Sequence, residues 1–270
     1  MNLGRMKNPF IIIPFTKASA CGNDFLIVHA EHATPEIHDL SRRLCDRHGG
    51  VGADGVEWLL PGGDVDAEIR LINADGSEAE ISGNGTRCVA AYLADIREAT
   101  RFRIRTGAGI KSCELISRQE QTFSFEMEMG SPKVESPFAV QTSAGAITGT
   151  PVSMGNPHFV VFVDAFPHAW QSLAGEIQKQ PCFPEGVNVE FVQVMSANVI
   201  EVRFFERGAG ETQSSGTGSC ASAVASISGG RVQSPVKVQA AGGAQLVRWE
   251  DNQVFLRGPA QLVCRGEFFV

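Results

Sequence analysis

With 270 residues, the chain has room for one large or two ordinary domains. A hydrophobic share of 43% and a charged share of 20% are those of a globular protein that faces water. The net charge of −7 argues against a nucleic-acid groove, which needs a clustered basic face. Seven cysteines, odd in number, scattered and without C-x-x-C, fit reduced thiols and a cytoplasmic location better than a disulfide framework. The early apolar run Phe10–Phe15 is broken by Pro14 and is too short for a secretion signal or membrane span.

In chain order, short β-rich runs bounded by Gly, Pro, Asn or Asp dominate. "FIIIPFTKAS" and "DFLIVHA" come first, and "PEIHDLSRRLCDRH" then predicts a helix over 35–48. That helix would have Thr34 as its N-cap and Pro35 in the first turn. "AEIRLINADG" and "RFRIRTGAG" read as strands on either side of the Ala-rich stretch that follows Ser82-Gly-Asn-Gly. "TFSFEMEMG" is the clearest strand, with Phe123, Phe125, Met127 and Met129 on one face. After Gly130-Ser131-Pro132 come "HFVVFVDAF", "NVEFVQVMS" and "VIEVRFFERG". A second Ala-rich stretch follows Ser215-Gly-Thr-Gly, and "SPVKVQAAGG", "AQLVRWEDN" and "QVFLRGP" close the list. Both post-glycine stretches lack a polar face, so both predict buried helices. The fold expectation is α/β (α+β): two pseudo-symmetric domains, each a mostly antiparallel sheet curled around a central helix. The domains would be 1–129, completed by 258–270, and 130–257.

The paired glycine loops head these helices. A helix N-terminus carries unpaired N–H groups and partial positive charge, and glycine lets an anion approach the backbone. No G-K-[ST] follows and no G-x-G-x-x-G is completed, so a small carboxylate is expected rather than a nucleotide. Further polar residues crowd strand-end turns: Asn23, Asn73, Asn156, His158, Asn188, Glu206 and Arg207. A single Asn in such a turn is ordinary turn chemistry; together with the loops these turns can line one amino-acid site. His29, His32 and His38 include no i, i+4 pair, and no metal is expected.

The ordered set "GNDF", "NADGSE", "SGNGTRC", "MGNPHFV", "FPEGVNVEF", "ERGAGET" and "SGTGSCASAVA" resembles the diaminopimelate epimerase family. The resemblance implies two similar domains with the active site in the cleft between them. It also implies a homodimer in amino-acid biosynthesis, and inversion at Cα of an amino-acid substrate without pyridoxal phosphate, metal or other cofactor. Carried over by position, Asn23, Asn73, Gly83, Asn84, Asn156, Asn188, Glu206, Arg207, Gly216 and Thr217 would bind substrate. Asn73, Asn188 and Arg207 would hold its distal amino-acid end. Gly55 departs from the pattern, since some members carry Gln there. The larger departure is that the family's two acid/base cysteines correspond to Ser82 and Ser215.

A hydroxyl ionises roughly five pH units above a thiol, a handicap of about 7 kcal/mol and about 10⁵-fold in rate. Three accounts fit serine at both positions. The serines can be engineered replacements; the chain can be a natural paralogue using another substrate or another base, with His158, Glu206 and Cys21 as candidates; or it can bind amino acids without turnover. G-x-S-x-G is absent, which excludes a nucleophile elbow.

Overall fold

The computed structural model describes residues 11–270. Its first half runs β1 (Ile12–Ala20), β2 (Asn23–His29), α1 (Ile37–Cys45), β3 (Gly55–Leu60), β4 (Ala67–Asn73) and β5 (Glu78–Ala79). It continues with α2 (Gly83–Ile96), β6 (Arg101–Thr106), β7 (Gly109–Gln119) and β8 (Thr122–Gly130). Then follow β9 (Lys133–Val134), β10 (Phe138–Thr142), β11 (Gly145–Ser153), β12 (Pro157–Phe162) and α3 (Trp170–Gln178). β13 (Asn188–Ser196), β14 (Val199–Glu206), β15 (Gly210–Thr212) and α4 (Gly216–Ser228) come next. β16 (Val236–Ala240), β17 (Gly243–Glu250) and β18 (Gln253–Phe269) end the described chain.

The pairing pattern repeats. β2 lies parallel to β3 and β12 to β13, while β3–β4 and β13–β14 are antiparallel. β4 lies parallel to β6 and β14 to β16, and antiparallel β6–β7 answers β16–β17. Helix α2 fills the first sheet, packing Cys88, Val89, Ala91 and Leu93 against Phe102, Phe123 and Phe125. Helix α4 fills the second, packing Cys220, Ala223 and Val224 among Val202, Phe204 and Val247. The predicted face of β8 is confirmed: Phe123, Phe125 and Met127 are buried, and Met129 is packed against both cores. The expected closing strand serves both halves. β18 pairs with β17 through Gln253–Arg257, with β8 through Val254–Gln261, and with β1 from Gln261 onward.

Two helices differ from expectation. α1 begins at Ile37, with Glu36 as an N-cap that makes no side-chain bond, because the chain first turns at Pro35-Glu36. It ends at Cys45, since the Asp46 carboxylate accepts the N–H groups of His48 (2.8 Å) and Gly49 (2.6 Å) and offers the backbone a turn instead. Helix α3 was not anticipated, although Trp170, Leu173, Ala174 and Ile177 keep helical spacing and are all buried. No helix among the described residues is long and apolar enough to cross a membrane.

Candidate active site

Ser82 and Ser215 are the N-caps of α2 and α4, both with extended backbone. Each hydroxyl accepts the N–H three residues on, Gly85 to Ser82 Oγ at 3.0 Å and Gly218 to Ser215 Oγ at 3.2 Å. The cap carbonyls accept the next N–H groups, from Thr86 and Ser219. Capping therefore satisfies the third and fourth donors of each helix, and the donors of Gly83, Asn84, Gly216 and Thr217 are left without an intrahelical partner. These four N–H groups sit at positive helix ends, where a carboxylate is favoured.

The two loops meet. Asn84 Nδ2 donates to Ser214 Oγ at 2.8 Å, joining the first glycine loop to the residue just before the second cap. Asn84 Oδ1 accepts from Arg87 Nη2 at 2.5 Å. Arg87 is fully buried, and its other contacts are the carbonyls of Gly83 and Pro259 and the sulfur of Cys21. A guanidinium held by neutral acceptors keeps its positive charge uncompensated beside the α2 end, which strengthens the attraction for an anion. Gly258 makes room for it: a Cβ there would lie 2.9 Å from Arg87 Cζ.

On the α4 side, Glu206 Oε2 accepts from Ser215 Oγ at 3.0 Å, and Oε1 accepts from Thr212 Oγ1 at 2.7 Å. Asn156 Nδ2 donates to Thr217 Oγ1 at 3.3 Å, while Asn156 Oδ1 lies 3.0 Å from His158 Nε2. Since that oxygen can only accept, Nε2 carries a proton. His158 Nδ1 lies 2.7 Å from Glu190 Oε1, and both side chains are buried. Burial pushes the Glu190 carboxyl above its usual range, opposed by His158. His158 thus stands behind Asn156 and orients it.

Asn188 Nδ2 donates to the Pro157 carbonyl (2.9 Å), and its Oδ1 accepts the Arg207 N–H (2.9 Å). The Arg207 side chain is exposed and donates to the Glu185 carbonyl at 3.0 Å. Asn23 and Asn73 gather around Asp54. Asn23 Nδ2 donates to the Asp54 carboxylate at 2.6 Å, Asn73 Nδ2 to Ser77 Oγ at 3.0 Å, and the neighbouring Ala74 N–H to the Asp54 carbonyl.

The family model described as diaminopimelate epimerase matches residues 15–135 and 150–263. A protein of that name from Pelotomaculum thermopropionicum is 41% identical, over 94% of this chain and 98% of its own length. Another from Halothermothrix orenii is 38% identical, over 96% and 98%. The chain belongs to the diaminopimelate epimerase family. The fold recurs more widely. A hydroxyproline epimerase from Agrobacterium vitis superposes with a TM-score of 0.71 at 18% identity, covering 100% of this chain and 94% of its own. A phenazine biosynthesis protein of the PhzF family from Bacillus anthracis superposes at 0.73 with 17% identity, covering 95% and 98%.

For a member of the diaminopimelate epimerase family, the cysteine inventory is telling. Cys88 and Cys220 lie fully buried in the helices, and burial pushes the Cys220 thiol up to about 12 and Cys88 higher still. Burial also raises the Cys21 thiol, against the pull of Arg87. The side chains that cap the two helix ends are hydroxyls, and Glu206 adds a carboxyl on the α4 side. Sequence reading missed Arg87, Glu190 and Glu57, the last fully buried on β3. For Arg87 there was a signal: a lone charge between the glycine loop and the stretch "CVAAYL". For the two glutamates, "GVEWLL" and "NVEFVQV" each place one acid in an otherwise apolar strand.

Proposed function

We propose that this chain interconverts LL- and meso-diaminopimelate by moving the α-proton between two faces of a planar intermediate, without pyridoxal phosphate or metal. The observation that carries the reading is the pair of serine-capped helix ends, tied together by Asn84 and Ser214. The α-carboxylate would accept the four unpaired N–H groups, with Arg87 adding positive charge behind α2. As the Cα–H bond breaks, charge spreads into that carboxylate, where these donors stabilise it more strongly than in the ground state. Ser215 stands over one face with Glu206 as its proton partner, and a carboxyl that shares the hydroxyl proton offsets much of the handicap of serine relative to cysteine. Ser82 serves the other face. Asn156, oriented by His158, and Thr217 would contact the amino-acid head, while Asn23, Asn73, Asn188 and Arg207 would hold the distal end. In this reading the chain divides into 1–129 with 258–270 and 130–257, and it works as a cytoplasmic homodimer.

The test is α-proton exchange. LL- and meso-diaminopimelate are incubated separately in D₂O with the protein, and loss of the α-proton signal and appearance of the other isomer are followed by NMR. Exchange and inversion support the reading; absence of both above background overturns it for this chain. A Ser82→Cys/Ser215→Cys variant accompanies the assay. Activity confined to that variant would mean an intact pocket with serine as its lesion.

A further inference from the structure

Strand β3 alternates as strands do: Val56 and Trp58 pack toward α1, while Glu57 and Leu59 face the α2 side. Glu57 has no exposed surface, and neither carboxyl oxygen has a hydrogen-bond partner. An unpartnered buried carboxyl is costly, and its placement is specific. A Cβ on Gly85 would overlap Glu57 Oε1 and come within 3.2 Å of Ser82 Cβ. Gly85 lies in the first turn of α2 with ordinary helical backbone, so space rather than conformation demands glycine there. Ser82 and Glu57 therefore lie on either side of a residue without a side chain.

The internal repeat sharpens the point. In the parallel pair β12–β13, His158 and Val160 stand opposite Asn188 and Glu190. In β2–β3, Phe25 and Ile27 stand opposite Gly55 and Glu57. Glu57 is thus the counterpart of Glu190, but Phe25 replaces His158 and leaves Glu57 alone. Glu57 pairs with Leu71 as Glu190 pairs with Phe204, so Asn73 occupies the place of Glu206. An amide cannot take a proton from Ser82 as Glu206 can from Ser215. The first half lacks that carboxylate and holds a different one behind Gly85.

The geometry points to Glu57 as the proton-holding partner of Ser82, acting on this face as Glu206 acts behind Ser215. The inference rests on the isomerase reading above. When Ser82 takes the α-proton, the Cα–H bond breaks and its electron pair stays on the substrate. A new Oγ–H bond forms while the hydroxyl's own proton passes to the Glu57 carboxylate, directly or across a bridging water. On the opposite face Ser215 gives its proton to Cα and takes one from the Glu206 carboxyl. The net change is one proton moved from Glu206 to Glu57, and the reverse reaction restores it. Ser82 Oγ accepts the Gly85 N–H, which leaves its O–H free to donate past Gly85.

Burial alone pushes the Glu57 carboxyl up to about 8. The charged and titratable groups on the elements around it are Arg87, Cys88, Tyr92 and Asp95 on α2, Asp24 and His29 on β2, and Glu68 and Arg70 on β4. Those of α1 lie beyond the sheet's other face. Among them Cys88 feels Glu57, which helps to raise its thiol.

Two measurements test the assignment, and Glu57→Gln, which keeps the side chain's shape, serves both. In the first, deuterium wash-in is followed separately from each diaminopimelate isomer across pH. Glu57→Gln should slow wash-in from the isomer whose α-proton faces Ser82 by about 10²-fold or more. It should spare the other isomer, lower kcat rather than raise KM, and erase the pH-rate limb near 8; Glu57→Asp should restore part of the rate. A purely structural role would slow both isomers together and leave the limb in place. In the second, the Ser82→Cys variant is titrated by its iodoacetamide alkylation rate, with and without Glu57→Gln. The introduced thiol should titrate in two coupled steps, and Glu57→Gln should reduce them to one at lower pH. Unchanged wash-in, or an alkylation profile indifferent to Glu57→Gln, overturns the proposal. If no isomer exchanges at all, the functional reading fails, and the alkylation profile still decides whether Glu57 shares protons with position 82.

Discussion

Replacing Glu57 by glutamine should stabilise the fold by an amount that grows with pH. Burial raises the carboxyl from an ordinary 4.5 to about 8, so between these values the folded chain holds a proton that the unfolded chain releases. Folding stability then falls as pH rises through the window, because the unfolded state binds fewer protons. The full span corresponds to about 5 kcal/mol at ~1.4 kcal/mol per pH unit. About 3 kcal/mol of it lies between pH 5.5 and 8.5. Glutamine does not titrate, so the stability difference between the variant and the parent should widen by about that amount across the same interval. Urea unfolding of both proteins at pH 5.5, 7.0 and 8.5, with matched ionic strength, measures it directly. A difference that stays constant with pH would refute the reasoning: Glu57 would then be solvated or partnered, and the case for it as a proton store would fall with its burial.

Gly85→Ala should destabilise by roughly 1–3 kcal/mol through overlap with Glu57, even though alanine favours helix. Combining it with Glu57→Ala should recover most of that loss, and a double-mutant cycle by urea unfolding that shows no coupling would count against the contact. Glu206→Gln should lower the rate of proton exchange by about 10²-fold or more while leaving the unfolding midpoint nearly unchanged, read by NMR wash-in and thermal melts. Ser215→Ala should lose the α4 cap, about 1 kcal/mol, as well as exchange, whereas Ser215→Cys should raise exchange. Asn84→Ala should cost about 1–3 kcal/mol in stability, because it removes a partner from the buried Arg87 and unties Ser214.

Much of this architecture could be read from residue order because the signals were local. Period-two alternation in "TFSFEMEMG" located β8 and its buried face, and the all-apolar stretches after the glycine loops located the two central helices. α3 escaped notice because its stripe of Trp170, Leu173, Ala174 and Ile177 is short and sits between proline-rich turns. β3 escaped because it is a run with hydrophobic residues on both faces, interrupted by an acid, and matches neither template cleanly. For the site, the serine caps, Glu206 and Asn156 were recognisable from motif order. The environment that decides proton affinity was not. Whether Glu57 is solvated or sealed depends on which strand face meets α2, a tertiary fact that no window of neighbours contains.

β18 carries a consequence for how the molecule is made. Each curled sheet needs this strand for its own closure, since β18 borders β17 in one half and both β8 and β1 in the other. A ribosome releases β1 and β8 before β18, so the amino-terminal sheet must wait, open-edged, until β9 to β17 with α3 and α4 have been synthesised. The helix α2 core, with its phenylalanines, stays incompletely covered during that interval, which is when an unpaired edge invites wrong partners. The two halves resemble each other as repeats but share one closing strand, so neither sheet has its full set of partners until β18 is in place.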